Sequence, residues 1–402
     1  SNGLIRVDDI AAWNVGQSPD GFPASPKVSM GEYGYVNGET AGMIKRASMN
    51  DHNWMGLLST FNTDLSENFK LMVGVDARRY VGKHYRKVVD LLGASYWLEN
   101  RDANALEASA NPVSLDLDQD GTIARRETGK LVQETGPYFG NPGQAGKVNY
   151  DNDGIVGWQG LFTQLEYSKD KLSAFLAVSG SNKSYKRIDR FNYLAGSENE
   201  TSPVYSFVGG NFKLGANYNV NDYHNVYANL GYYSNQPIFD VIFPNFNNVD
   251  INADAPNEKV LGVELGYGLR LKEFAGNLNL YRTQWDDKSF FQRAQTAGGV
   301  DFFANIQGVS AVHQGVEVDV IYNPSAIRGL KVTGMLSMGD WQWANNVTAL
   351  ISDDNNNVID QVDLYLDGVK VGNAAQTTAA VGLDYGKTIA EEATPGACKP
   401  PG

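Results

Sequence analysis

The sequence predicts an all-β protein: an antiparallel transmembrane β-barrel segment of about eleven strands, with short periplasmic turns and long extracellular loops. Three observations predict it. Apolar and polar residues alternate with period 2 in segments of about ten residues, the pattern of strands with one apolar face. Short, turn-like connections alternate with long, irregular ones. Tyr stands immediately before several of the short turns. Composition agrees, because 21 Tyr, 17 Phe and 43 Gly in 402 residues suit half-exposed strands and turns better than helices.

Along the chain, residues 1–49 form a loop-rich lead-in. Residues 50–386 carry the strand pattern and read as a partial β-barrel, and 387–402 form an irregular tail. The short connections are TDLSEN near 63–68, SKDK at 168–171, NVNDYH at 219–224, KEFAG at 272–276 and NPSAIRG at 323–329. Asn/Asp/Gly-rich loops fall between them, at about 85–156, 184–205, 236–258, 292–308 and 346–374.

The alternation is clearest in three strands. In GVELGYGLRL, Val263, Leu265, Tyr267, Leu269 and Leu271 share one face, opposite Glu264, Gly266, Gly268 and Arg270. NFKLGANYNV sets Phe212, Leu214, Ala216 and Tyr218 against Lys213, Gly215 and Asn217. GVEVDVIY sets Val316, Val318, Val320 and Tyr322 against Glu317 and Asp319. Tyr167, Tyr218 and Tyr322 each precede a short turn, as residues of an aromatic girdle at a membrane interface would. A soluble sandwich prefers short loops at both ends, and a propeller would repeat every 40 residues or so. Neither pattern is present.

Charge and residue counts narrow the function. A net charge of −13 argues against a nucleic-acid partner, which needs clustered Lys and Arg. The single cysteine, Cys398, forms no internal disulfide or cysteine zinc site. The four histidines, His52, His84, His224 and His313, stand in no close ligand pair, and His84 and His313 read as structural. There is no apolar run long enough for a transmembrane helix, and SNGLIRVDD lacks the shape of a signal peptide. Neither a nucleophile–base constellation nor a phosphate loop nor a dinucleotide fingerprint is present, so nothing points to an enzyme.

One loop has the spacing of a calcium site. In DLDQDGTIARRE, Asp116, Asp118 and Asp120 alternate, Gly121 permits the sharp turn, Thr122 offers its carbonyl and Glu127 closes the twelve. Ala124 gives no ligand at the ninth position, where water would serve. A second stretch, NYDNDGIVGWQG, repeats the first half with Asn149, Asp151 and Asp153 but has Gly160 at its twelfth position. Both are expected in one long extracellular loop, 98–156. Calcium there would cross-link mutually repelling carboxylates and order a loop that is otherwise entropically costly to fix. Loop aromatics Trp285, Phe290, Phe291, Phe302, Phe303, Trp341 and Trp343 could stack on a ligand, though strand packing or girdle placement is the favoured reading for each. DDNNNVID at 353–360 reads as a plain loop.

Residues 50–97 resemble TonB-dependent outer-membrane receptors of Gram-negative bacteria, most specifically in HNWMGLLST, GVDAR and the HYRKVVDLLG exit into a long loop. NEKVLGVELGYGLR and HQGVEVDVIYNP…LKVTGMLSMGDWQW are similar to later strands of the same barrel. The resemblance spans roughly 40–385. It implies an importer of a small-molecule or oligomeric nutrient ligand, embedded in outer-membrane lipid. In such receptors a barrel of about 22 strands encloses an N-terminal plug, and a periplasmic TonB energy-coupling protein acts through it. The sequence shows no plug or coupling box and lacks a terminal aromatic residue. It therefore reads as a middle-to-late segment of a longer receptor. The competing expectation is a soluble, calcium-dependent, β-rich surface-binding or adhesion protein. A surface hydrolase would need paired catalytic carboxylates, and none is evident.

Overall fold

The structure, a computed structural model, describes all residues except 1–3, 26–28, 39–41, 107–111, 125–126, 136–142, 144–145, 245–246, 296–300, 353–357, 373 and 387–402. The expected tail thus lies outside the described residues, as does most of 353–360.

Eleven strands form an antiparallel meander: β1 (Lys45–Ser66), β2 (Phe69–Asp90), β3 (Lys147–Lys169), β4 (Leu172–Asp189), β5 (Tyr205–Asn219), β6 (His224–Asn235), β7 (Glu258–Arg270), β8 (Phe274–Gln295), β9 (Asp301–Tyr322), β10 (Leu330–Trp343) and β11 (Thr377–Tyr385). Each pairs with the next in sequence. A further hairpin, Val347–Ser352 with Val358–Leu364, continues the sheet from the extracellular part of β9. Several strands reach 22 or 23 residues, where about ten suffice to cross a bilayer. The excess lies at the end away from the short turns.

Three differences from the sequence-based expectation follow from that excess. The first strand begins at Lys45, not 50. The long loop is shorter than 98–156 at its far end, because β3 already begins at Lys147. Likewise β8 and β9 run through most of the expected loop at 292–308.

The register places the alternation on two distinct faces. Leu265 lies opposite Ala228 and Leu280, and Tyr267 lies opposite Val226 and Leu278. These side chains remain exposed, with Leu265 at 55%. No second sheet covers them among the described residues, so they form a lipid-facing band, unlike the core of a soluble sandwich. The band is bounded toward the short turns by aromatics. Tyr167 meets Phe69 with ring centroids 4.9 Å apart, and Tyr322 lies opposite Phe274. Tyr218 joins the arc opposite Leu172 and Val226. At the other limit the same face turns polar: Arg282, Gln314 and Asp340 are successive cross-strand neighbours.

The opposite face is polar. Asn229 donates to Glu264 at 3.2 Å, and Asn225 donates to Asn217 at 2.8 Å. Tyr227 lies across Gly266 so closely that a Cβ there would fall 1.9 Å from its ring. Glycine is therefore required for this aromatic to lie flat on the inner wall.

Beyond the band the chain builds a small globule. Val36–Asn37, Tyr96–Glu99, Thr128–Val132 and Val113–Ser114 form a four-stranded sheet, in that order. Val36, Leu98, Leu115 and Leu117 make its core. The lead-in is therefore part of the same extracellular structure as the long loop. Helix α1 (Val7–Asn14) is fastened by its last residue: buried Asn14 donates to the carbonyls of Met43 at 2.7 Å and Leu92 at 3.0 Å, and accepts from Met43 N–H at 3.0 Å.

Candidate functional site

The Asp116 loop hangs from the globule by its buried leucines. Leu115 and Leu117 anchor its entry, and Val113–Ser114 pairs with Thr128–Gly129 at its exit. Gln119 and Gly121 adopt positive φ, 59° and 84°, which curls the chain inward. Asp116 accepts from the N–H groups of Asp120 and Gly121 at 3.2 and 3.0 Å, and Asp120 accepts from Thr122 N–H at 2.8 Å. The carboxylates of Asp116, Asp118 and Asp120 each offer an oxygen within 4.8 Å of the others.

Glu127 does something different from the expected role. It is buried, and its carboxylate accepts from the N–H groups of Leu117 at 2.7 Å, Asp118 at 3.2 Å and Ala124 at 2.8 Å. It closes the loop through backbone amides and does not join the three aspartates. The donor set suits an oxygen-seeking cation at three of its four carboxylates.

The second stretch is not a loop. Asn149, Asp151 and Asp153 lie in β3, which corrects the expectation of a second calcium-type turn. Their polar groups are engaged elsewhere. Asp151 pairs with Lys147 at 2.8 Å, and Asp153 pairs with Arg190 at 2.7 Å. Asn149 accepts from Arg46 at 3.1 Å, and its N–H donates to Glu99 at 2.7 Å. The DxD spacing that mimics a ligand loop is also strand alternation, with both carboxylates on one face.

The feature that the sequence reading missed is the segment after β6. Here α2 (Phe239–Ile242) folds onto the inner wall. Ile242 and Phe243 pack with Tyr185, and Phe239, Val156, Tyr205 and Phe207 surround them. Tyr185 donates its hydroxyl to the Pro237 carbonyl, and burial raises its pKa. Burial also pushes the Asp240 carboxyl above its ordinary value, with His84 acting in the opposite direction. The available signal was QPIFDVIF, an apolar run inside an otherwise polar loop. A run like that must be covered, and the barrel wall covers it.

The tryptophans lie on the inner wall as well. His313 stands between Trp285 and Trp341, with centroids 6.4 and 5.7 Å away, and Trp341 donates to the Tyr281 hydroxyl at 2.9 Å. Phe290 meets Trp343 edge to face at 5.8 Å. These rings are packed against each other across strands. The side chains of Phe291, Phe302 and Phe303 lie outside the described residues.

A family model described as TonB dependent receptor-like, beta-barrel, matches residues 11–396. No curated protein matches the sequence. Among solved structures, the copper transporter OprC superposes with a TM-score of 0.51 at 14% identity, covering 84% of this chain and 50% of that one. The ferric citrate transporter FecA in its unliganded form gives a TM-score of 0.46 at 11% identity, covering 85% of this chain and 48% of that one. BauA, the ferric preacinetobactin receptor of Acinetobacter baumannii, gives 0.44 at 13% identity, covering 86% and 43%. The chain thus spans about half the length of the solved structures it resembles. At such identities the OprC likeness speaks for the fold alone. The family match covers nearly the whole chain, and the outward apolar band, the polar inner wall and the two classes of connection agree with it. The chain belongs to the TonB-dependent receptors, outer-membrane proteins of Gram-negative bacteria, and supplies β-barrel structure of that family.

Proposed function

We propose that the protein takes up a nutrient ligand across the outer membrane in steps driven by the periplasmic TonB energy-coupling protein, and that calcium orders its extracellular globule. The observation supporting the first half is the two-faced wall. An apolar band meets lipid, and a lining of amides, carboxylates and glycines meets a lumen. The inward fold of α2 narrows that lumen from the extracellular side, as a device that admits ligand selectively would.

The calcium half rests on the Asp116, Asp118 and Asp120 carboxylates, which converge although they repel one another. A divalent cation offsets that repulsion, and Thr122 can add its carbonyl. Extracellular calcium is plentiful, so an affinity of order 10⁻⁴–10⁻³ M would keep the site filled.

The transport half is tested in cells carrying the full-length receptor. Metal chelates, cobalamin and oligosaccharides are screened for surface binding, and uptake of the ligand that binds is followed with the coupling protein present and absent. Binding should persist in both strains and uptake only in the first. Uptake without coupling would identify a passive pore instead.

A further inference from the structure

The outer face of β4 changes chemistry in steps. Counting away from the short turn, Leu172, Ala174, Leu176 and Val178 continue the lipid-facing band, Gly180 interrupts it, and Asn182, Ser184 and Lys186 follow. The neighbouring strands turn polar at the same rows of the register. Gln159 of β3 lies opposite Asn182, and one row further on Gly157 lies between Ser184 and Arg79 of β2.

At the row of Gly180 the wall is hollowed. Gly180 pairs with Gly210 of β5 on one side and with Leu161 of β3 on the other. A Cβ at position 180 would meet nothing within 4 Å, so the space over it is open. The hollow measures about 840 Å³; Val75, Leu161, Val178 and Val208 wall it, and Gln159 and Asn182 stand at its end away from the short turn. Below that amide pair the side-chain walls are apolar and offer no partners for water, so hydrocarbon is the occupant they suit. Asn182 donates to Gln159 at 3.4 Å. Two amides joined by one hydrogen bond keep a donor and an acceptor to spare, whichever way the pair is turned. That complements an amide linkage, which carries both N–H and C=O; an ester carries no donor. Beyond the pair, Arg79 is exposed and Lys186 half-exposed, and among the described residues neither has a carboxylate partner. In a chain of net charge −13, this sector of the outer face presents two cations to an anion from outside the chain.

We propose that this sector binds one phosphorylated, N-acylated lipid of the outer leaflet: an acyl chain lies in the hollow over Gly180, its amide linkage meets Gln159 and Asn182, and phosphate meets Arg79 and Lys186. The groups follow one another along the wall in the order in which such a lipid presents them on leaving the hydrocarbon. The site uses the outer face alone, apart from the lumen and from the Asp116 cluster, so it stands whatever ligand the receptor imports.

The experiment uses the full-length receptor in detergent, delipidated and titrated with lipid A (a diphosphorylated, N-acylated glucosamine disaccharide), with bound lipid counted by native mass spectrometry. Gly180→Leu fills the hollow with apolar bulk and should weaken lipid A binding at least about tenfold. Arg79→Gln and Lys186→Gln should each weaken it about fivefold, and both effects should vanish with dephosphorylated lipid A. Phosphatidylglycerol, anionic but ester-linked, should bind about fivefold more weakly than lipid A. Ala228→Leu, which adds apolar bulk to the band outside the hollow, and Lys272→Gln, which removes a cation at a short turn, should change nothing. Heat-modified gel mobility confirms that each variant is folded. Should Gly180→Leu fail to fold, the Arg79→Gln, Lys186→Gln double variant, which leaves the apolar band intact, is read in its place. Undiminished lipid A binding by folded Gly180→Leu or by the double variant, or equal affinity for lipid A and phosphatidylglycerol, overturns the proposal.

Discussion

Leu265 of β7 and Leu280 of β8 face each other across the sheet on its outward side, both exposed. Val263, Tyr267 and Leu278 beside them on that face are apolar too, and Arg282, the next residue on that face of β8, marks its polar limit. Leu265→Arg should therefore destabilise the membrane-inserted barrel by about 2–4 kcal/mol if the position lies near the bilayer midplane. Reversible unfolding in lipid bilayers measures this. A cost within error of zero would mean that this face does not meet hydrocarbon.

Asp118 and Glu127 should behave differently, although sequence spacing gives them similar roles. Glu127 holds three backbone N–H groups, so Glu127→Ala should loosen the globule with or without calcium, at a cost of roughly 1–3 kcal/mol. Asp118→Asn should abolish calcium protection of residues 98–146 from protease while leaving the calcium-free rate unchanged. Calorimetry after chelator treatment supplies the direct check: no calcium-dependent heat would reduce the motif to an acidic turn.

Asp240→Asn should tighten the docking of α2 at neutral pH. Burial raises this carboxyl in the docked segment, so the docked state holds its proton at pH values where a released segment has lost it. Docking is therefore strongest below the ordinary carboxylate value and weakens as pH rises through the raised one. Exchange of the Val241 and Phe243 amides, which bond to Ile238 and Phe239, should be slower in the variant at neutral pH. The two proteins should converge as pH falls below the ordinary carboxylate value. His84 is held below its ordinary value by burial and by His52, and Asp240 acts on it in the opposite direction, so the variant should lower His84 further.

Asn14→Ala should release α1. The side chain is fully buried and fastens the helix to the chain on both sides of β1 and β2, and its loss removes the partners of the Met43 N–H and the Leu92 carbonyl. A local cost of about 1–3 kcal/mol is expected, visible as faster amide exchange over 7–14 with the barrel unaffected.

The barrel wall was legible in the sequence because a lipid-facing strand must show its period. Val263 through Leu269 can be read without a partner, and the short turns fix the pairing of neighbours. The strand ends were not legible. Above the bilayer both faces of β2 and β3 are covered by protein, so Lys87 and Asp151 are buried and the alternation ceases to report on position. Asp151 and Asp153 read as loop ligands for that reason, whereas they pair with Lys147 on the same strand and with Arg190 just past the end of β4. His52 and His84 are distant in sequence, and only the register of β1 against β2 makes them neighbours around Gly82.

The four-stranded sheet draws Val36 from before the first hairpin and Val132 from after it. Val36–Asn37 runs parallel to Tyr96–Trp97, a pairing that cannot form until β1 and β2 have brought the two segments to the same height. Such contacts close large loops and come late in folding. During assembly the globule must then be the last part to order, and in a receptor it would do so on the cell surface, after the wall has entered the membrane. Damage there would cost the cell a binding face without costing it an inserted barrel, and this part of the chain could change quickly under pressure from outside while the wall beneath stays as it is.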